Sequence, residues 1–446
     1  MGTETLPGAD ADGGERIVLH VDMDCFYAAC ERLRDPDLCG EPVVVGMGYE
    51  DGATHGAVAT ASYEAREYGV ESAQAISEAV RRLPPKSTAR ADPDLDATDA
   101  GHYRPVDMGY YESVAADIKA ILHDCADVVR EVSVDEAYLD VTDRTAWREA
   151  NGRPLAEGYA RHVKERIERK VGVTASVGVA PNMSAAKVAS DYDKPDGLVV
   201  VRPGEVREFL APLPVEDVHG VGPVTASELR SLDVETAGDL AATDPARLRD
   251  RFGERGRALY DRARGDDDRP VTPTGRPKSL SRESAFAEAT DDAERLRETV
   301  RSLASDVAER ARERGATYRT IGIKVVTPPF DVNTRERSLP GPVDDAELVA
   351  DVALDLLAEF SETAVRKAGV RVSNLSFADG EQARLDGWDG EGVDADPGDD
   401  GTDGVDAGGD DPPEPAGSGD STADAPADRS DVAPEGQATL TDFDGE

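Results

Sequence analysis

The chain of 446 residues carries 92 acidic and 50 basic side chains, a formal charge of −42, and its length predicts about three domains. No run of roughly 18 apolar residues occurs, which argues against a membrane span. Met1 to Gly14 is acidic and small where a secretory signal would be basic and then apolar, so a cytoplasmic protein with no membrane partner is expected. Taken alone, the charge would also exclude nucleic acid as a partner, because like charges repel.

The charge is unevenly placed. Asp379 to Glu446 holds 22 acids and two Arg, a net of −20 in 68 residues, and is rich in Gly, Pro, Ser and Asp. With few large apolar residues it cannot offset its ordering entropy, and a disordered acidic tail is predicted over 379–446. Residues 1–378 carry 48 bases against 70 acids yet read as folded, and the whole chain has nine Lys against 41 Arg. An acidic folded body poor in Lys is the composition of a salt-rich, halophilic cytoplasm, where the Debye length falls to roughly 3 Å at 1 M. Cys25, Cys30, Cys39 and Cys125 form no CxxC pair, which predicts free thiols.

In chain order, Arg16 to Asp22 (RIVLHVD) is a short apolar run ending in an acid and reads as a buried strand. Pro42 to Val45 is a second strand, and Ala59 to Tyr68 a turn into a helix. Asp107 to Leu122 is helical in pattern, and Val128 to Val134 and Ala137 to Val141 are strands flanking Asp135-Glu136. A helix at Leu155 to Lys170, a strand at Val173 to Ala180, a helix at Asn182 to Ser190 and a strand at Gly197 to Val201 close the unit. Strands and helices without regular alternation predict an α+β domain. Short helices follow from Pro203 to Gly265, and the polar, Pro-rich Gly265 to Pro277 reads as an interdomain linker.

A second α+β unit comes next. A strand at Ser279 to Phe286 leads to a capping-box pattern at Asp291 and Glu294, then apolar residues at helical spacing from Leu296 to Ala311. Strands near Thr317 to Val326 and Asp331 to Leu339, a helix at Asp345 to Phe360 and a strand at Gly369 to Phe377 complete a βαββαβ order. This predicts a four-stranded sheet with both helices on one face and the other face open to a partner. Arg276 to Ala378 has 16 bases and 18 acids, so this module is near neutral in an acid-saturated chain. Arg335 and Arg337 share one face of a strand, and a nucleic-acid-facing surface is expected there.

Asp22-Met23-Asp24 ends the first strand, and Asp135-Glu136 lies between two later ones. Carboxylates at strand ends suit hard Mg²⁺ ions that keep open positions for phosphate oxygens. A lone Asp-x-Asp means little in so acidic a chain. Acids inside the apolar contexts VLHVD and VSVDEAYLDV carry more weight, because burying a carboxylate is costly unless a cation or hydrogen bonds accompany it. Spacing leaves open a metal site or satisfied buried acids, and does not choose between Asp22 and Asp24.

Five segments, HVDMDCFYA (20–28), ATASYEAR (59–66), SVDEAYLD (133–140), SVGVAPN (176–182) and DYDKPDG (191–197), together resemble the Y-family translesion DNA polymerases, in that family's order and spacing. The resemblance runs from about Arg16 to Phe377 and is nearest to the DNA polymerase IV branch of archaea and bacteria. It implies a right-hand polymerase: palm (16–25 and 107–201), fingers (26–106), helical thumb (202–264), linker (265–277) and βαββαβ little finger (278–378), with residues 1–15 and 379–446 disordered. It further implies two Mg²⁺ ions held by the catalytic acids Asp22, Asp135 and Glu136 with the Met23 carbonyl, and leaves Asp24 out of the ligand set. Phe26 and Tyr27 would lie at the nucleotide, Tyr27 as the steric gate against a ribose 2′-hydroxyl. Thr60, Tyr63, Arg66 and Lys194 would contact the triphosphate, and dNTPs and primer–template DNA are the implied partners of a monomer. Asp193, where the family has a small apolar residue, and Ala73 to Glu78, without Gly-Met-Pro, depart from the pattern. No acids resembling a proofreading exonuclease are apparent, which implies low fidelity.

Val218-His-Gly-Val-Gly222 before a helical Pro223 to Leu232 is similar to a helix-hairpin-helix, in which Gly220 and Gly222 let backbone N–H groups approach a DNA phosphate. Gln437, Leu440 and Phe443, within 437–444 of the tail, resemble the box that docks proteins on a sliding clamp, with Asp444 in its second aromatic position. Two rivals to a polymerase stand at this point: a non-catalytic DNA- and clamp-binding accessory protein, and a palm-type nucleotidyl cyclase.

Overall fold

The computed structural model describes residues 15–50, 52, 55–91 and 96–377. Its centre is a five-stranded sheet in the order Leu198–Val200, Ala175–Ala180, Val18–Met23, Glu136–Asp140, Val128–Glu131. All neighbours are antiparallel except the first pair. Val18–Met23 is buried at every residue because helices cover both faces of the sheet. Leu19, Val21 and Met23 join a core formed with Met108–Cys125 and Leu155–Val171, whereas Val18 packs with Met183–Tyr192 on the other side. Side-chain alternation then sends His20 and Asp22 toward that second helix too.

Gly178 explains how closely this helix approaches. A Cβ there would lie 2.0 Å from the Ala186 carbonyl oxygen and 2.4 Å from the Ser190 nitrogen, so the helix presses directly on the strand backbone.

The segment after the first strand holds a three-stranded sheet, Ala57–Ala61, Val43–Met47, His102–Pro105. Its first strand lies where a turn into a helix was expected. The Ala-rich sequence favours helix locally, and pairing with Val43–Met47 overrides that preference. The helix is cut to Tyr63–Arg66, capped by the fully buried Ser62.

Five short helices, Val206–Leu210, Pro223–Arg230, Ala237–Ala242, Pro245–Phe252 and Glu254–Ala263, follow and share one apolar core with Val18, Tyr138 and the Met183–Tyr192 helix. The expected linker is docked over its first part. Asp267 and Val271 are buried, and Asp267 accepts hydrogen bonds from the Ser184 nitrogen (3.1 Å) and hydroxyl (2.6 Å) at the start of the Met183–Tyr192 helix.

The C-terminal module has the expected βαββαβ order, with strands Ser279–Thr290, Ala316–Thr327, Asp331–Val343 and Val365–Phe377 and helices Ala293–Glu313 and Ala346–Leu357. Chain-order strands 1-4-2-3 are neighbours in the sheet. The first helix is capped by Asp292 rather than Asp291, its carboxylate accepting from the Glu294 and Arg295 nitrogens. Among the described residues no helix is long and apolar enough to cross a membrane. The clamp-box residues Gln437, Leu440 and Phe443 lie outside the described residues.

Candidate active site

Register brings the acids together. Asp22 stands opposite Glu136 on one side and Ser176 on the other, and the Met23 nitrogen donates to the Asp135 carbonyl (3.0 Å). Ser133 shapes the turn that carries Asp135 and Glu136, its hydroxyl accepting from both their backbone nitrogens at 3.1 Å. Burial raises the Asp135 carboxyl above its usual range, and the neighbouring Asp22 and Glu136 charges add to this.

Two lysines reach into the acids. Lys187 Nζ lies 3.0 Å from both Asp22 Oδ2 and Glu136 Oε2 and 3.2 Å from Asp191 Oδ2. Lys194 Nζ lies 2.8 Å from Asp22 Oδ2 and 3.0 Å from Asp191 Oδ1. Behind them the fully buried His20 has Nδ1 2.8 Å from the Ser190 hydroxyl and Nε2 3.5 Å from Glu136 Oε2. Burial pushes the Glu136 carboxyl up, but His20 and Lys187 outweigh it and hold the group at about 2.

Asp24 belongs to a different set of contacts. Only 4% exposed, it accepts from the Ser176 hydroxyl (2.8 Å), the Tyr63 hydroxyl (3.2 Å) and the Asp196 nitrogen (2.8 Å). It ties the first strand to the Tyr63–Arg66 helix and to the Lys194 loop.

Cys25, in the left-handed region at φ 39°, turns the chain from the strand into the helix Phe26–Arg34. Phe26 points into the core, whereas Tyr27 is half-buried and stacks on Tyr111, ring centroids 4.6 Å apart. Thr60 is part-buried near the end of its strand, and Arg66 is exposed with its guanidinium 4.6 Å over the Tyr63 ring.

Farther off, Gly220 has φ 94° and Gly222 caps Pro223–Arg230, with open space where its Cβ would be. Arg335 and Arg337 share a face as expected, but that face bears the helices. They pair across the sheet with the buried Ile323 and Ile321, and Arg335 meets Glu359 (2.7 Å) and Arg337 Asp355 (3.2 Å). On the open face, Lys324 and Lys367 meet Glu283 at 2.9 and 3.4 Å.

Residue patterns alone did not single out Lys187, His20, Ser133 or Asp191. One sequence signal bears on Lys187: lysine is scarce in this chain.

Residues 21–191 match the impB/mucB/samB family, 277–385 its C-terminal domain, and 203–234 the IMS family HHH motif. The DNA polymerase IV of Halobacterium salinarum is 62% identical over 388 residues, covering 87% of this chain and 92% of that protein. The chain belongs to the Y family of DNA polymerases. The DNA polymerase IV of Methanoculleus marisnigri is 42% identical over 374 residues, 84% of this chain and 98% of its own. Among solved structures, a Y-family chimera of Dbh and Dpo4 superposes with a TM-score of 0.70 at 28% identity, covering 81% of this chain and all of its own. An insertion ternary complex of Dbh DNA polymerase gives 0.57 at 27%, with the same coverage. The protein is therefore a template-directed translesion DNA polymerase, and enzymes of this family use divalent metal ions. The accessory-protein and cyclase alternatives fall with that result.

Proposed function

We propose that Asp22, Asp135 and Glu136, with the Met23 carbonyl, hold two Mg²⁺ ions and transfer a nucleotide from a dNTP to a primer 3′-hydroxyl. The observation that carries this reading is the convergence of Asp22 and Glu136, in register on adjacent strands, around the Lys187 ammonium. All-oxygen donors at the end of the central strand fit a hard divalent cation. When bound, the ions supply Lewis-acid activation of the 3′-hydroxyl and neutralise charge on the leaving pyrophosphate. The chain's own residues orient the nucleotide. Lys194, resting on Asp22, is placed to exchange that carboxylate for a phosphate oxygen, and Arg66 and Tyr63 offer a guanidinium and a hydroxyl on one short helix.

Thr60 completes the triphosphate contacts and Phe26 backs the sugar, while Tyr27, braced by Tyr111, closes the space under C2′. Gly220 and Gly222 form the sequence-independent grip on primer–template DNA, whereas Arg335 and Arg337, paired with Glu359 and Asp355 on the helix-bearing face, are left out of it. Gln437, Leu440 and Phe443 tether a monomer to the sliding clamp. A cytoplasmic location follows from this role.

Primer extension with Asp135→Asn tests the reading. Extension is lost while binding to primer–template persists, and near-wild-type extension would overturn it. Removing residues 437–446 leaves basal extension unchanged and abolishes stimulation by the clamp, and undiminished stimulation would overturn the tether.

A further inference from the structure

Lys187 plays no part in the chemistry described so far, yet it is the side chain most deeply engaged with the acids. Its ammonium is equidistant, at 3.0 Å, from Asp22 Oδ2 and Glu136 Oε2, and a third carboxylate, Asp191, lies 3.2 Å away. His20, Asp22 and Glu136 offer ligand atoms within 4.8 Å of one another, a spacing a metal ion could bridge. The two carboxylates of that group already share a cation, the ammonium of Lys187. The lysine cannot drift away easily, because the Met183–Tyr192 helix is seated against Gly178 and begins under the buried Asp267.

We propose that Lys187 is a resident cation of the metal site, a positioning residue that holds Asp22 and Glu136 together when no metal is bound and keeps metal affinity low until nucleotide arrives. This inference rests on the metal site proposed above. Three carboxylates, Asp22, Glu136 and Asp191, meet two ammonium groups, Lys187 and Lys194, and Asp135 adjoins Asp22 and Glu136, so the free site carries a formal net of two negative charges. That is too little to attract two divalent ions strongly, and the ammonium groups take Asp22 Oδ2 and Glu136 Oε2 for themselves. A triphosphate brings its own negative charge and draws Lys194 away from Asp22. Lys187 has no such exit and stays, keeping both carboxylates oriented through the cycle. Metal loading is thereby coupled to nucleotide binding.

The test uses the full chain, free of DNA, titrated with Mn²⁺ and followed by the EPR signal of free Mn²⁺, with and without dCTP. Wild type binds Mn²⁺ weakly alone and at least tenfold more tightly with dCTP. Lys187→Met binds Mn²⁺ alone at least tenfold more tightly than wild type, and its gain from dCTP shrinks accordingly. Lys187→Arg, which keeps the charge, restores weak binding, and Lys119→Met, remote from the acids, leaves it unchanged. Should Lys187→Met fail to fold, Lys187→Gln serves with the same expectation. An unchanged or weakened Mn²⁺ affinity in the neutral variant overturns the inference. Asp135→Ala separates the two claims: if it binds Mn²⁺ as wild type does, the metal-site reading itself fails. If it loses Mn²⁺ but the neutral lysine variant shows no tightening, only the role of Lys187 fails.

Discussion

Asp22 and Asp24 are two residues apart on the same segment, and their substitutions should fail in different ways. Asp24→Ala removes a carboxylate that accepts from the Ser176 hydroxyl, the Tyr63 hydroxyl and the Asp196 nitrogen. Orphaning buried donors costs about 1–3 kcal/mol each, and the carboxylate's own burial offsets part of the loss, so a net destabilisation of about 3 kcal/mol is expected. Thermal melting should fall by roughly 6–12 °C. The catalytic consequence runs through the nucleotide: Tyr63 loses one bond worth about 1 kcal/mol, and the Lys194 loop loses its anchor at Asp196. The dNTP KM should therefore rise about fivefold to tenfold, while kcat stays within about threefold. Asp22→Ala should do the reverse, abolishing kcat with little change in melting. Single-nucleotide incorporation kinetics on a primer–template, paired with melting curves, distinguish the two patterns. If Asp24→Ala abolishes kcat without raising KM, Asp24 is a metal ligand and the assignment is refuted.

Gly222→Ala should leave melting unchanged and weaken primer–template binding in a fluorescence-anisotropy titration, because its Cβ would enter open space on the outer side of the turn. Gly220→Ala should lower melting instead, because it forces a side chain into φ 94° with its Cβ 2.4 Å from Arg262 Nη1. Tyr27→Ala should raise ribonucleotide incorporation more than about tenfold, since a clash rather than an attraction sets the discrimination; unchanged incorporation would refute the gate. Burial pushes the Asp267 carboxyl up, but Arg269 and Ser184 outweigh it and hold it far below the usual range. Its stabilisation is therefore complete above pH of about 4 and lost as pH falls through the folded value. Asp267→Asn should cost about 3 kcal/mol at neutral pH, and its melting difference from wild type should narrow progressively below pH of about 4.

What the sequence disclosed follows the range of the forces involved. Apolar runs and caps are local, so the strand at Val18–Met23 and the helix at Ala293–Glu313 were legible to within two residues or so. The strand Ala57–Ala61 was not, because its state depends on a partner strand distant in sequence. The acids at 22, 135 and 136 stood out by their apolar surroundings and family order. Lys187 did not, because its significance depends on helix Met183–Tyr192 lying flat on Gly178, which no local pattern encodes. Arg335 and Arg337 show the converse. Alternation placed them on one face, but only the cross-strand register with Ile321 and Ile323 shows that this face bears the helices.

The same register bears on how an acid-saturated polymerase holds DNA. The C-terminal module is near neutral, but its cations are largely engaged within it: Arg335 by Glu359, Arg337 by Asp355, Lys324 and Lys367 by Glu283. Near neutrality therefore removes repulsion rather than creating a strongly cationic surface. At high salt little is lost by this, since phosphate contacts weaken steeply as salt rises. Backbone N–H contacts and shape then carry more of the grip. The active site is where fixed positive charge is retained, and there it is lysine, in a chain with nine Lys against 41 Arg. Geometry accounts for the choice. An ammonium can serve three carboxylates around one nitrogen, as Lys187 does for Asp22, Glu136 and Asp191, whereas a planar guanidinium spreads its donors over a wider fork. Adaptation that replaces lysine by arginine over most of the surface would on this account spare the two positions where one compact charge meets several carboxylates at once, even though the charge itself is what restrains metal binding.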